Sequence, residues 1–176
     1  METFLVISVL GSDRPGLVND LSKIVAENHC NIADSRMTVL GGEFAVLMLV
    51  AGKWDTIAKL EAQLTNVAKK LDLTVMLRRT DKRPLQPKAV PYHISVVSLD
   101  HPGIVYDIAN FFSKQNINIE NLDTSTYQAA HTGSTMFNLS MVVNIPANIH
   151  LAGLREQFFL FCDERNLDAM LEPCRN

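Results

Sequence analysis

Residues 7–38, ISVLGSDRPGLVNDLSKIVAENHCNIADSRMT, align without a gap with residues 94–125, ISVVSLDHPGIVYDIANFFSKQNINIENLDTS, at a constant offset of 87. Ten of these 32 positions are identical, among them Asp13/Asp100, Pro15/Pro102, Gly16/Gly103, Asn31/Asn118 and Ile32/Ile119. Self-similarity at this period marks a duplicated unit. The match continues: Phe44 meets Phe137 after a six-residue expansion in the second copy, and Leu60, Leu64, Leu73 and Leu77 meet Leu154, Phe158, Leu167 and Leu171.

Each copy reads as six elements. Phe4–Leu10 is a Val- and Ile-rich apolar run closed by a turn signal, which predicts a central strand. Leu17, Leu21, Ile24 and Val25 recur at helical spacing, as do Ile104, Ile108, Phe111 and Phe112. Asn31–Leu40 carries Asp34, Arg36 and Thr38 on one face, as an edge strand does, and Gly41-Gly42 predicts a hairpin. Phe44–Ala51 is a second central strand, Ile57 to Leu71 a second helix, and Leu73–Arg79 a closing strand. The order βαββαβ defines an α+β, ferredoxin-like unit: a four-stranded antiparallel sheet with both helices on one face. Apolar runs such as EFAVLMLV predict that the helix-free face is also covered, by another sheet or by the partner repeat, and two copies in one chain favour pairing within the chain. The proline-bearing stretch Thr80–Pro91 is expected to be a linker, giving units at 1–79 and 92–176.

Composition narrows the function. The 176 residues carry 16 Lys plus Arg against 19 Asp plus Glu, a net charge of −3. Direct nucleic-acid binding usually needs a basic surplus, so it is disfavoured. The basic residues Arg78, Arg79, Lys82, Arg83 and Lys88 are expected on a solvated linker. The apolar run at the N-terminus is too short for a membrane span and lacks signal-peptide flanks, and an odd number of cysteines without disulfide spacing favours a reduced, cytoplasmic setting. Cys30, Cys162 and Cys174 show no metal or disulfide spacing. His29, His93, His101, His131 and His150 show none of the helical pairing of a metal site, and no catalytic motif occurs, so no cofactor and no enzymatic activity are expected.

The duplicated turn is the chemical feature. Asp13-Arg14-Pro15-Gly16 and Asp100-His101-Pro102-Gly103 each stand between the first strand and the first helix. Proline sets the chain direction near the helix start, and glycine permits close backbone approach. A helix N-terminus attracts a carboxylate, and an aspartate attracts an ammonium group. Together they suit a free amino acid, with Asn31-Ile32 and Asn118-Ile119 as further candidate contacts. The competing structural role is plain: an aspartate here can simply cap the helix. His101 lies inside the second candidate site and is a candidate for pH-sensitive binding, with an ordinary exposed loop histidine as the competing reading. The expanded second hairpin, Tyr127–Gly133, is a candidate lid or contact loop.

The D-x-P-G turn, the amphipathic helix and the Asn-Ile strand start resemble the ACT-domain family in both copies. The stretch Leu10–Gly52, LGSDRPGLVNDLSKIVAENHCNIADSRMTVLGGEFAVLMLVAG, is similar to tandem-ACT repressors of the glycine cleavage operon. The resemblance implies two ACT domains without a DNA-binding domain, acting on a LysR-type transcription activator in response to a small amino acid, glycine above all. It also implies that Asp13, Asn31, Asp100 and Asn118 touch ligand. Some relatives have asparagine at the Asp13 position and histidine at the positions of Gly11 and Ser98. Two alternatives remain: an amino-acid-binding regulatory subunit of a metabolic enzyme, and pairing of modules between chains as a homo-oligomer.

Overall fold

A computed structural model describes residues 2–81 and 89–174. The chain divides into two compact units, Met1–Pro84 and Leu85–Asn176. The first contains β1 (Glu2–Ser12), α1 (Leu17–Glu27), β2 (Asn31–Leu40), β3 (Glu43–Lys53), α2 (Trp54–Leu71) and β4 (Thr74–Thr80). The second repeats the order with β5 (Ala89–Leu99), α3 (Ile104–Lys114), β6 (Asn118–Gln128), β7 (Thr135–Pro146), α4 (Leu151–Asp163) and β8 (Asp168–Pro173). The sheets run β2-β3-β1-β4 and β6-β7-β5-β8, all antiparallel, with the first and third strands central. This is the expected duplicated βαββαβ fold.

Strand ends shorten the expected linker. Thr80 belongs to β4 and Ala89–Pro91 to β5, because they pair with Phe4 and with Asn144–Pro146. Arg78 and Arg79 are strand residues for the same reason, whereas Lys82, Arg83 and Lys88 lie outside the described residues.

One side of each sheet packs on its helices. In the first unit, Leu5, Ile7 and Val9 of β1 join Leu17, Leu21 and Val25 of α1 and Ile57, Leu60 and Leu64 of α2. In the second, Ile94, Val96, Leu139 and Met141 meet a more aromatic set. There Phe112 and Phe158 have ring centroids 5.2 Å apart, and Phe111 lies 5.1 Å from Phe112 and 5.3 Å from Phe158. Edge-on and tilted contacts of this kind add to area burial.

The helix-free faces differ. On β3 the outward residues include Leu47 and Leu49, as the apolar run predicts. On β7 the outward positions are Met136, Asn138, Ser140, Val142 and Asn144. The helix-free face of the second unit is thus less apolar than the expectation of a covered face implies, with Asn138, Ser140 and Asn144 between Met136 and Val142.

Candidate functional site

In both copies the turn is built by glycine. Gly16 and Gly103 occupy the N-cap positions of α1 and α3 with φ of 93° and 100°. A β-carbon at either would meet nothing within 4 Å. The glycines are thus required by left-handed backbone geometry and not by close approach, which corrects the sequence-based reason for them.

Neither aspartate caps its helix. No side chain caps α1 or α3. The backbone N–H of Asp13 donates to the Gly42 carbonyl at 3.0 Å, and that of Asp100 to the Thr135 carbonyl at 2.9 Å. These bonds tie each turn to its hairpin and leave both carboxylates without a hydrogen-bond partner among the described residues. The first intrahelical bond of α1 runs from Asp20 N–H to Gly16 O at 2.9 Å, so the N–H groups of Leu17, Val18 and Asn19 precede it. A free carboxylate and an uncapped helix start stand side by side.

Around the first turn lies an open groove of about 530 Å³. Asp13, Arg14, Pro15 and Gly16 form one rim, Val18, Asn19 and Ser22 of α1 a second, and Met37, Val39 and Phe44 an apolar wall. Arg14 turns to Asp20, 3.6 Å away, pinning the turn to the helix. Sequence reading missed Met37 and Val39. They sit on the helix side of β2 opposite Val46 and Phe44, and only the register reveals that. The equivalent second-unit positions hold Thr124 and Thr126, and Asn19 is replaced by Tyr106, 71% exposed. His101 replaces Arg14, its Nδ1 lying 3.1 Å from the Pro102 carbonyl. Asp107, the counterpart of Asp20, is instead 3.6 Å from Arg165, whose guanidinium also lies over the Phe161 ring at 4.0 Å.

The asparagines are not beside their turns. Ser12 pairs with Glu43, whereas Asn31 pairs with Ala51 at the other end of β3. About eight strand residues separate the two levels, roughly 26 Å at about 3.3 Å per residue. Asn118 is placed likewise, opposite Asn144, while the second turn follows the Leu99–Met136 pair. No single module can offer both groups to one amino acid. Asn118 lines a separate surface hollow with Ile117, Asn116 and Ser113. Ile32 and Ile119 pack against the two cores.

The family histidine positions are occupied by tight packing. A β-carbon on Gly11 would fall 2.4 Å from Leu73 Cδ2, and Ser98 is buried, its hydroxyl donating to the Leu99 carbonyl at 3.1 Å. His150 caps α4, its Nδ1 accepting from Gly153 N–H at 3.2 Å, and His93 Nε2 lies 2.9 Å from Ser140 Oγ. Burial, with the nearby Asp163 charge, pushes the Cys162 thiol up to about 12, which keeps it protonated and unreactive. The expanded hairpin is closed by its own bonds, Gly133 N–H to Ala129 O at 2.9 Å and Gln128 Nε2 to Thr135 Oγ1 at 3.0 Å. Among the described residues no three potential ligands cluster as a metal site, and no helix is long and apolar enough to cross a membrane.

Duplicated βαββαβ units with a glycine-built turn before the first helix define an ACT-domain protein, and residues 3–78 match the ACT domain model directly. The chain is 32% identical to the glycine cleavage system transcriptional repressor of Escherichia coli, over 93% of this chain and 86% of that one. It belongs to that family of tandem-ACT regulatory proteins. A UPF0237 protein of Methanocaldococcus jannaschii is 38% identical over 44% of this chain and 88% of its own length. Among solved structures, a candidate glycine cleavage system transcriptional repressor superposes with a TM-score of 0.75 at 28% identity, covering 100% and 99% of the two chains. An unknown protein from Galdieria sulphuraria gives 0.80, also at 28% identity, with 99% and 100% covered.

Proposed function

We propose that this protein is an amino-acid-responsive negative regulator of glycine cleavage transcription, acting through a LysR-type activator without catalysis and without touching DNA. The observation that carries the sensing role is the Asp13 carboxylate, unpartnered among the described residues beside an uncapped helix start in an open groove. A carboxylate binds an ammonium group, and a helix N-terminus binds a carboxylate. A free amino acid presents both. The family relationship supports the transcriptional role, and a net charge of −3 fits action through a protein partner.

Glycine is the proposed ligand, and the groove is much larger than glycine. Specificity therefore depends on closure of the groove when the ligand-bound state forms. A ligand controls activity only by preferring one state over another. The second turn is the weaker candidate, because Thr124, Thr126 and Tyr106 replace the groove's Met37, Val39 and Asn19.

Titration calorimetry with glycine and a panel of amino acids tests this. Glycine is expected to bind, Asp13→Ala to weaken binding at least about tenfold, and Asp100→Ala to weaken it less, since a lost charged hydrogen bond costs about 1.5–3 kcal/mol. Absence of binding by any amino acid at millimolar concentration would end the sensor role. Unchanged binding by Asp13→Ala would move the site elsewhere. Co-purification separates the partner readings: a DNA-binding activator supports this proposal, and a biosynthetic enzyme overturns it.

A further inference from the structure

The helix-free face of the first unit is an apolar surface with charges only at its edges. Its rows follow from the register. One row reads Asp34–Leu49–Val6–Arg78 across β2, β3, β1 and β4. The next reads Arg36–Leu47–Ser8–Met76. Leu47 is 51% exposed and Met76 70%, so these apolar side chains meet solvent. A depression of about 250 Å³ opens across the first row, lined by Val6, Leu47, Leu49, Asp34 and Arg36, with Thr80 and Asp81 at its rim. Contiguous exposed apolar surface framed by polar residues marks an interaction site.

The first row is self-complementary. Its ends carry opposite charges, and its middle is apolar. A two-fold axis along the strands, lying between two stacked copies of this face, sets β2 of each over β4 of the other. Asp34 of one copy then stands over Arg78 of the second, at the same level, twice per pair. Stacked sheets lie about 10 Å apart with strands within about 30° of each other, a gap that an arginine and an aspartate side chain together bridge. Arg78 is exposed and has no ion pair among the described residues, and Asp34 is bridged to Arg36 on its own strand at an exposed position.

The second unit provides the contrast. Its corresponding rows read Asn121–Val142–His93–Glu172 and Asp123–Ser140–Ser95–Met170, and Asp168 continues the β8 edge. Carboxylates at Asp123, Asp168 and Glu172 stand there on a polar face. Like charges of this kind oppose self-pairing of that face, and the first unit lacks them.

We infer that this protein forms a two-fold dimer in which the helix-free faces of the first units of two chains stack, with Leu47, Leu49, Val6 and Met76 at the centre and reciprocal Asp34–Arg78 pairs at the edges. The inference is independent of the ligand reading, because it uses the opposite side of the sheet from the helices. It fits a closed isologous interface, where residue i meets j and j meets i.

Sedimentation equilibrium on the full chain tests it. The wild type is expected to dimerise at micromolar concentration, and Leu47→Glu to be monomeric with an unchanged circular dichroism spectrum. Ser140→Glu, on the equivalent face of the second unit, is expected to leave the dimer intact. A subtler pair of variants needs no apolar change. Asp34→Lys and Arg78→Glu are each expected to weaken self-association at least about tenfold, since both edge pairs of the dimer become like-charged. Mixing the two variants is expected to restore association as a heterodimer. There the two introduced side chains, of opposite charge, face each other at one edge, and the unaltered Asp34 and Arg78 face each other at the other. A wild-type monomer at that concentration, a dimer that survives Leu47→Glu, or variants that stay apart when mixed would each overturn the proposal.

Discussion

The two units share a fold and a turn, yet they differ beside the turn, on the helix-free face and inside the core. At the turn, Arg14 holds Asp20 in the first unit, whereas in the second Asp107 is held by Arg165 from beyond α4. On the helix-free face, Leu47 and Ala45 correspond to Ser140 and Asn138. Inside, a mainly aliphatic core around Phe44 corresponds to a phenylalanine cluster. The duplicated backbone is preserved by a short set of positions: the central strands, the helix stripes and the left-handed glycine. Other positions differ between the copies, Asn19 and Tyr106 or Leu47 and Ser140 among them.

Core composition gives the largest expected effects. Phe158 and Leu64 are equivalent and both fully buried. Phe158→Ala is expected to cost about 3–5 kcal/mol and Leu64→Ala about 2–5. Phe158→Ala belongs at the upper end of its range, because it also strips Phe111 and Phe112 of ring contacts. Denaturant unfolding checks this, and equal costs would show that the aromatic cluster packs no better than the aliphatic one.

Gly11 and Ser98 occupy equivalent positions just before the turns. Gly11→Ala places a methyl group against Leu73 and is expected to cost about 1–3 kcal/mol as an overpacked site. Ser98→Ala removes one local hydrogen bond and is expected to cost about 1 kcal/mol or less. Thermal unfolding of the two variants reads the difference. A neutral Gly11→Ala would mean that Leu73 moves aside freely.

The smallest effect is electrostatic and belongs to the first unit alone. Arg79 donates to both Glu61 carboxylate oxygens, Nε at 3.0 Å and Nη2 at 2.8 Å, and lies 5.4 Å from the Trp54 ring centre. The corresponding second-unit residues are Pro173, Arg155 and Asn148, which cannot form this lock. The hydrogen bond from Arg79 holds the Glu61 carboxyl below its ordinary value of 4.5, against the opposing effect of burial. A depressed carboxyl stabilises the fold above its unfolded value, and that contribution disappears as pH falls through the folded value. Glu61→Gln is therefore expected to lower stability slightly near neutrality and to reduce the loss seen on acidification below about 4.5. Stability measured across that acid range checks it. An acid limb identical to wild type would show that solvent screens the pair entirely.

Much of this architecture was legible in the residues. Leu5, Ile7 and Val9 alternate on β1, and Leu17, Leu21, Ile24 and Val25 recur on α1, so element type and order follow from local periodicity. The duplication fixed the equivalences, and the turn stood out because it repeats. The site was less legible. Asn31 and Asp13 both repeat and both suit an amino acid, yet a helix between them carries the chain from one end of the sheet to the other. Met37 and Val39 escaped notice because an edge strand shows two alternating faces without saying which one meets the helix.

Sequence alone determined two βαββαβ units, their central strands and the glycine-built turns, since each depends on spacing within a few residues. Only the tertiary structure decided that Asp13 leaves its helix uncapped, that Met37 and Val39 wall the groove, and that Asp34 and Arg78 bracket one apolar row. The last two depend on strand register, which pairs residues tens of positions apart and is settled by the packing of whole elements; the first follows from the bond that ties the Asp13 backbone to Gly42.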